Sequence, residues 1–268
     1  MEARIPSHLV ISKMPTEKEQ PILSIHNLNI WYGDKQILRS ISFEVRQKQV
    51  TAFIGPANCG KSALVRSINR LNDFTPNFKS TGEILFKGNR LDEAKDATTL
   101  RKQIGMVFRR PTLFQGSIYD NVAYGARISG VQQSPLLNTI VEKNLRKTGL
   151  WADVENLLDE TPEQLSTGQQ QLLCIARALA VEPEVLIFDE PCGELDPIET
   201  VKIETLVRDL KDNCTLIFAT NKRRQAARVS DVAGFLYGGE LIEFGATEKI
   251  FTNPQDNITE QYVTGRLG

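Results

Sequence analysis

The chain has 268 residues, 41% hydrophobic and 24% charged, with a formal net charge of −1, which suits one large globular domain or one domain with an insertion. So neutral a balance gives no global attraction to nucleic acid or to an anionic membrane surface. No apolar run approaches the roughly 20 residues that span a bilayer. Cys59, Cys174, Cys192 and Cys214 are too scattered for a zinc site or a disulfide framework.

Residues 1–20 are mixed polar with two prolines and read as a loose tail. Their apolar stretch is too short and too acid-flanked for a secretory signal, so a cytosolic chain is expected. The segments ILSIHNLNIWYG, ILRSISFEV and VTAFIG follow, and their β-branched and aromatic content predicts strands. Leu64, Ile68 and Leu71 recur at helical spacing after Lys61. GEILFKGNRL predicts a hairpin strand and turn.

From about 116 to 182 the pattern is mostly helical. Ser117 to Asp120 has the spacing of a capping box, and Leu136, Leu137, Ile140, Val141 and Leu145 form one apolar helix face. Pro162 precedes a further helix at about 168–181. VLIFDEP and CTLIFAT are nearly all-apolar runs, as in parallel strands buried on both faces. Ile203, Leu206, Val207 and Leu210 mark a helix between them. The expected class is α/β, with a mainly helical insertion.

Gly55-Pro56-Ala57-Asn58-Cys59-Gly60-Lys61-Ser62 is a complete GxxxxGK[ST] phosphate loop between a strand and a helix. Backbone N–H groups of such a loop cradle phosphates, the lysine reaches the β- and γ-phosphates, and the serine holds Mg²⁺. Asp189-Glu190 ends the buried run VLIFDE. A carboxylate there points into the crevice where ligands bind in such sheets. Asp189 is the second expected Mg²⁺ residue, and Glu190 the candidate general base for an attacking water.

LSTGQQQLLCIARALAVEPEVLIFDEP resembles the ABC-transporter ATPases, whose LSGGQ signature precedes a helix and then the acidic strand end. SIYDNVAYG, QAARVSD, GELIEFG, IFTNP and TEQYVTGRLG narrow the resemblance to the ATPase subunits of bacterial phosphate importers, over about Ile22 to Gly268. The resemblance implies a P-loop NTPase domain over 21–268 with an antiparallel β-subdomain and a helical subdomain at about 109–182. It implies ATP and Mg²⁺ as cofactors, phosphate import driven by ATP hydrolysis, and a dimer beneath two transmembrane permease subunits. The place implied is the cytoplasmic face of the bacterial inner membrane. A periplasmic phosphate-binding protein would act indirectly, and no nucleic acid is expected. By the same resemblance Tyr32 stacks on adenine, Asp196 contacts the opposing subunit, and Ser166, Thr167, Gly168 and Gln169 face the partner's nucleotide.

Three departures fall on the γ-phosphate machinery. The family's glutamine after GMVF is Arg109, its switch histidine is Asn221, and the first signature glycine is Thr167. Cys192 and Glu194 stand where Thr and Ala are usual. Arginine only donates and is always charged. Asparagine cannot take up a proton near neutral pH. Threonine resists close backbone approach and positive φ. The basic run Lys222 to Arg224 reads as a solvated face. Two functions therefore stand: a working phosphate-importer ATPase, or an impaired ATP-binding subunit paired with a complete chain.

Overall fold

The computed structural model describes residues 21–93 and 96–267; the predicted tail at 1–20 lies outside them. Its strands are β1 (Leu23–Tyr32), β2 (Lys35–Val45), β3 (Val50–Ile54), β4 (Phe78–Phe86), β5 (Asn89–Arg90), β6 (Ile104–Val107), β7 (Val185–Asp189), β8 (Thr215–Thr220), β9 (Val232–Tyr237) and β10 (Glu240–Ala246). The helices are α1 (Lys61–Ile68), α2 (Ala97–Gln103), α3 (Ile118–Ile128), α4 (Ser134–Lys147), α5 (Trp151–Val154), α6 (Thr167–Leu179), α7 (Pro197–Leu210), α8 (Arg223–Val229), α9 (Thr247–Thr252) and α10 (Asn257–Thr264).

Two sheets form. One has the order β10-β9-β3-β8-β7-β6, parallel except for β10 at its edge. The other is antiparallel, in the order β2-β1-β4-β5. The parallel strands β3, β7 and β8 are buried at every position. Alternate residues feed two cores. Ala52, Phe188 and Phe218 pack with the helices of the inserted region, while Phe53, Ile187 and Ile217 pack with α1 and the antiparallel sheet. Double-sided burial is why these strands lack a polar alternation.

The helices α3 to α6 lie between β6 and β7. The predicted capping box is present: Ser117 Oγ accepts from the Asp120 N–H, and the Asp120 carboxylate accepts from the Ser117 N–H. On α4 the apolar face is narrower than the sequence suggests. Leu137, Val141 and Leu145 are buried, but Leu136 is 47% exposed, because it sits a full 100° of helix rotation from Leu137. The run at Cys214 also begins later than expected. Its strand starts at Thr215, and the Cys214 N–H closes the end of α7 on Leu210 O.

Candidate functional site

The strand order sets the site. β3, β8 and β7 are adjacent and parallel, with Ile54 opposite Thr220 and Asp189 opposite Ala219. The phosphate loop, Asn221 and the pair Asp189-Glu190 therefore leave the sheet at the same edge. β6 runs beside β7, so Arg109 arrives there too. This is the carboxyl edge of a parallel sheet, where ligands of such folds bind.

The loop from Gly55 to Ser62 turns through left-handed backbone at Asn58 (φ 62°) and Gly60 (φ 109°). A Cβ on Gly60 would strike the Leu38 side chain, and one on Gly55 would lie 2.7 Å from Cys59 Sγ. Pro56 and Ala57 complete the turn. Helix α1 starts directly after Gly60, with no side-chain cap and no acid in its first turn. Its first N–H groups thus suit an anion. Lys61 is 4% exposed. Its ammonium donates to Gly55 O and Pro56 O, both at 2.9 Å, and stands 3.8 Å from Glu190 Oε1. A polyphosphate fits this set: an open helix start, a buried cation and a loop with glycine at Gly55 and Gly60.

Ser62 Oγ donates to Asp189 Oδ1 at 2.7 Å. The two hard oxygens suit Mg²⁺, whose coordination is ordinarily completed by water and nucleotide oxygens. No group of three or more His, Cys, Asp or Glu that could hold a metal occurs among the described residues. Arg66, one helical turn beyond Ser62, donates to Asp189 Oδ2 at 3.0 and 3.2 Å. Sequence reasoning missed Arg66. Its signal was the i,i+4 spacing from Ser62, which puts both on one face.

Glu190 has φ 52°, a left-handed backbone that a non-glycine residue rarely adopts. Its N–H donates to Ala219 O and its carbonyl accepts from the Gly193 N–H. The turn lifts its carboxylate between two cations, with Lys61 at Oε1 and Arg109 Nη1 at 3.4 Å from Oε2. Arg109 crosses Gly193, where a Cβ would lie 2.6 Å from its Nε. Its Nε stands 4.0 Å from Glu194, and Arg110 donates to the same carboxylate at 2.8 Å. Glu194 therefore holds both arginines of the 109–110 pair.

Asn221 is exposed at the end of β8, and its carbonyl accepts from the Tyr262 hydroxyl at 3.2 Å. Tyr262, from α10, is itself buried, which pushes its phenol up to about 12. The run Lys222 to Arg224 is not simply a solvated face. Lys222 Nζ donates to Cys192 O at 2.6 Å, and Arg223 donates to Tyr262 O while its guanidinium covers the Tyr262 ring. The backbone geometry of β8 and α8 brings these cations over neighbouring carbonyls, which no residue pattern displays.

Tyr32 is half-buried. Its hydroxyl donates to Asn72 Oδ1 at 2.8 Å, its ring leans on Phe78, and burial raises its pKa, with Arg66 opposing. Asp196 caps α7 by accepting from the Glu199 N–H at 2.7 Å. Ser166 caps α6 in a capping box with Gln169, whose amide also reaches Asp153. Thr167 is the first residue of α6 and lies outside the left-handed region. Helical backbone at that position imposes no φ strain on threonine, so the expected conflict reduces to its side chain. Gly168 is covered by Glu199, as a Cβ there would collide with the Glu199 carboxylate.

A family model described as ABC transporter matches residues 38–193. The chain is 48% identical over 250 residues to the phosphate import ATP-binding protein PstB of Thermotoga maritima, covering 93% of this chain and 100% of that protein. The PstB of Bacteroides fragilis is likewise 48% identical, covering 92% and 98%. Among solved structures, CbiO1 of Clostridium perfringens, described as part of the ABC transporter complex CbiONQ, matches with TM-score 0.77 and 31% identity over 88% of this chain and 92% of that one. An ATP-bound bacterial Atm1-family ABC exporter shares the fold with TM-score 0.77 at 24% identity, over 97% of this chain and 45% of that chain.

Proposed function

The chain belongs to the ABC transporter ATPase family, and on that premise we propose that it is the ATP-binding subunit of an inorganic phosphate importer, working as a dimer on two membrane permease subunits. The relatives at 48% identity over nearly the whole chain support the cargo. Its place would be the cytoplasmic face of the inner membrane; no helix among the described residues is long and apolar enough to cross a membrane. The region 109–182, holding α3 to α6, would be the helical subdomain.

One observation carries the nucleotide reading: Lys61, Ser62, Asp189 and Glu190 converge within hydrogen-bond or ion-pair reach at one sheet edge. The loop Gly55 to Ser62 would hold the phosphates of ATP and Tyr32 its adenine. Lys61 would exchange its loop carbonyls for β- and γ-phosphate oxygens. Ser62 and Asp189 would hold Mg²⁺, which neutralises phosphate charge when bound. Glu190 would accept a proton from the attacking water, and Asn221 would donate to the γ-phosphate from the switch position. Ser166, Thr167, Gly168 and Gln169 would approach the partner's nucleotide, with Asp196 near the subunit boundary. A periplasmic phosphate-binding protein would deliver cargo to the permease.

Labelled phosphate uptake into vesicles carrying the permease and this chain tests the reading. ATP-dependent uptake that Lys61→Ala abolishes is expected, and uptake equal with and without the chain overturns it. A second reading, an ATP-binding subunit with weak turnover paired with a complete ATPase chain, is favoured by the Arg109–Glu190 pair, since the candidate base is already engaged. Co-purification from cells holding both chains distinguishes the two by self-pairs or mixed pairs.

A further inference from the structure

The strongest unassigned feature is Glu199, the third residue of α7, lying against the start of α6. Its Oε1 accepts from Ser166 Oγ at 3.0 Å and from the Gly168 N–H at 3.0 Å. A Cβ on Gly168 would lie 2.3 Å from that carboxylate, so the side chain of Glu199 lies directly over the Gly168 backbone. One oxygen therefore takes two donors of the segment that the function above assigns to a partner's nucleotide. A carboxylate and a phosphate compete for such donors on equal chemical terms, and the two anions repel at that distance.

We infer that Glu199 is an internal gate on the signature segment: its carboxylate occupies the donors in the single chain and must leave before a partner's nucleotide can seat there. The inference deepens the nucleotide reading proposed above and rests on it. The position of Glu199 is set by Asp196, which caps α7 by accepting from the Glu199 N–H at 2.7 Å. The helix start thus aims the side chain across at α6.

The structure also provides a place for the carboxylate to go. A cavity of about 180 Å³ lies at the junction, lined by Ser166, Gly168, Gln169, Leu172, Glu199 and Lys202. Lys202 stands three residues beyond Glu199 on α7, the spacing at which helix side chains of opposite charge meet. Swinging onto Lys202 keeps the carboxylate paired and frees Ser166 Oγ and the Gly168 N–H. The gate then ties the Asp196-capped start of α7 to the readiness of α6, within one chain and without a further ligand.

Self-association of the purified full-length chain tests the gate. Light scattering follows dimer formation against a non-hydrolysable ATP analogue with Mg²⁺, for the native chain, Glu199→Gln and Glu199→Ala. Glu199→Gln keeps the shape and loses the charge, which guards against a folding defect in the alanine variant. In parallel, analogue binding is titrated at a dilution where every chain is monomeric. Losing two charge-assisted hydrogen bonds should lower the analogue concentration for half-maximal dimer by about tenfold in both variants, with monomer binding unchanged. Analogue binding with the same dimer curve, or no dimer, for all three chains overturns the gate and leaves the nucleotide reading standing. Absence of analogue binding in all three overturns both.

Discussion

The Arg109 guanidinium lies 3.4 Å from Glu190 Oε2, while the Lys61 ammonium lies 3.8 Å from Glu190 Oε1. The carboxylate best placed to activate water is thus held by a cation on each oxygen. A base so held accepts from the guanidinium before it meets water. Arg109→Gln should raise ATP turnover by about tenfold, a part of the roughly 100- to 10,000-fold that a general base contributes. The Arg109 side chain is 56% exposed, and exposed pairs contribute little to stability. The midpoint of thermal unfolding should therefore hardly move. A coupled phosphate-release assay and a melting curve on the same preparation check both halves.

Glu190 itself sits at φ 52°. Left-handed backbone costs a side-chain-bearing residue about 1 kcal/mol that glycine does not incur. Glu190→Gly should stabilise the chain against urea by about 1 kcal/mol while lowering turnover at least roughly 100-fold. Rising stability with falling activity would mark strain held at the site for its chemistry. A less stable glycine variant would show that the lost pairing with Lys61 and Arg109 outweighs the relief of the turn.

Tyr262 links α10 to the switch through its hydrogen bond to Asn221 O. Burial pushes its phenol up to about 12, with nearby Arg223 opposing, against about 10 in an unfolded chain. Between those values the unfolded chain has lost the proton and the folded chain keeps it. The unfolded state binds fewer protons there, so stability falls as pH rises from about 10 to about 12. Tyr262→Phe should remove that part of the alkaline loss. Urea denaturation of both chains at pH 9 and pH 11 measures the difference. The variant should also weaken stability at pH 8 by about 1 kcal/mol, for one lost hydrogen bond.

Away from the site, Arg228 on α8 donates to both Glu204 oxygens on α7, at 2.6 and 2.7 Å. Glu204 is 3% exposed. Arg228→Ala strands a buried carboxylate and should cost about 2–3 kcal/mol, read as a lower urea midpoint. Restoring a neutral partner surface with Glu204→Gln in the same chain should recover part of that loss. No recovery would mean that Arg228 acts through packing alone.

Much of the site was legible along the chain because its chemistry is local. The loop from Gly55 to Ser62 needs glycines where the backbone turns left-handed and a lysine at the helix start, and a contiguous stretch carries both. The pair Asp189-Glu190 was visible because a doubly buried strand has no polar residue until it ends. The three departures at Arg109, Thr167 and Asn221 were visible as residue types against the resemblance. Their consequences were not. Thr167 proved free of backbone strain, since α6 begins on it, and Leu136 proved exposed, since a helix rotates neighbours apart.

By itself the sequence determined the family, the α/β class, the phosphate loop and which family residues are changed. These depend on short-range patterns of burial and turn chemistry. Only the tertiary structure decided that Arg109 rests on Glu190, that Glu194 holds Arg109 and Arg110, that Lys222 reaches Cys192 and that Glu199 sits on Ser166 and Gly168. Each of those contacts joins residues 30 to 85 positions apart, brought together by parallel strand order and the docking of α7 beside α6. Charge pairing of that range depends on where side chains end in space, and no spacing along a chain records it.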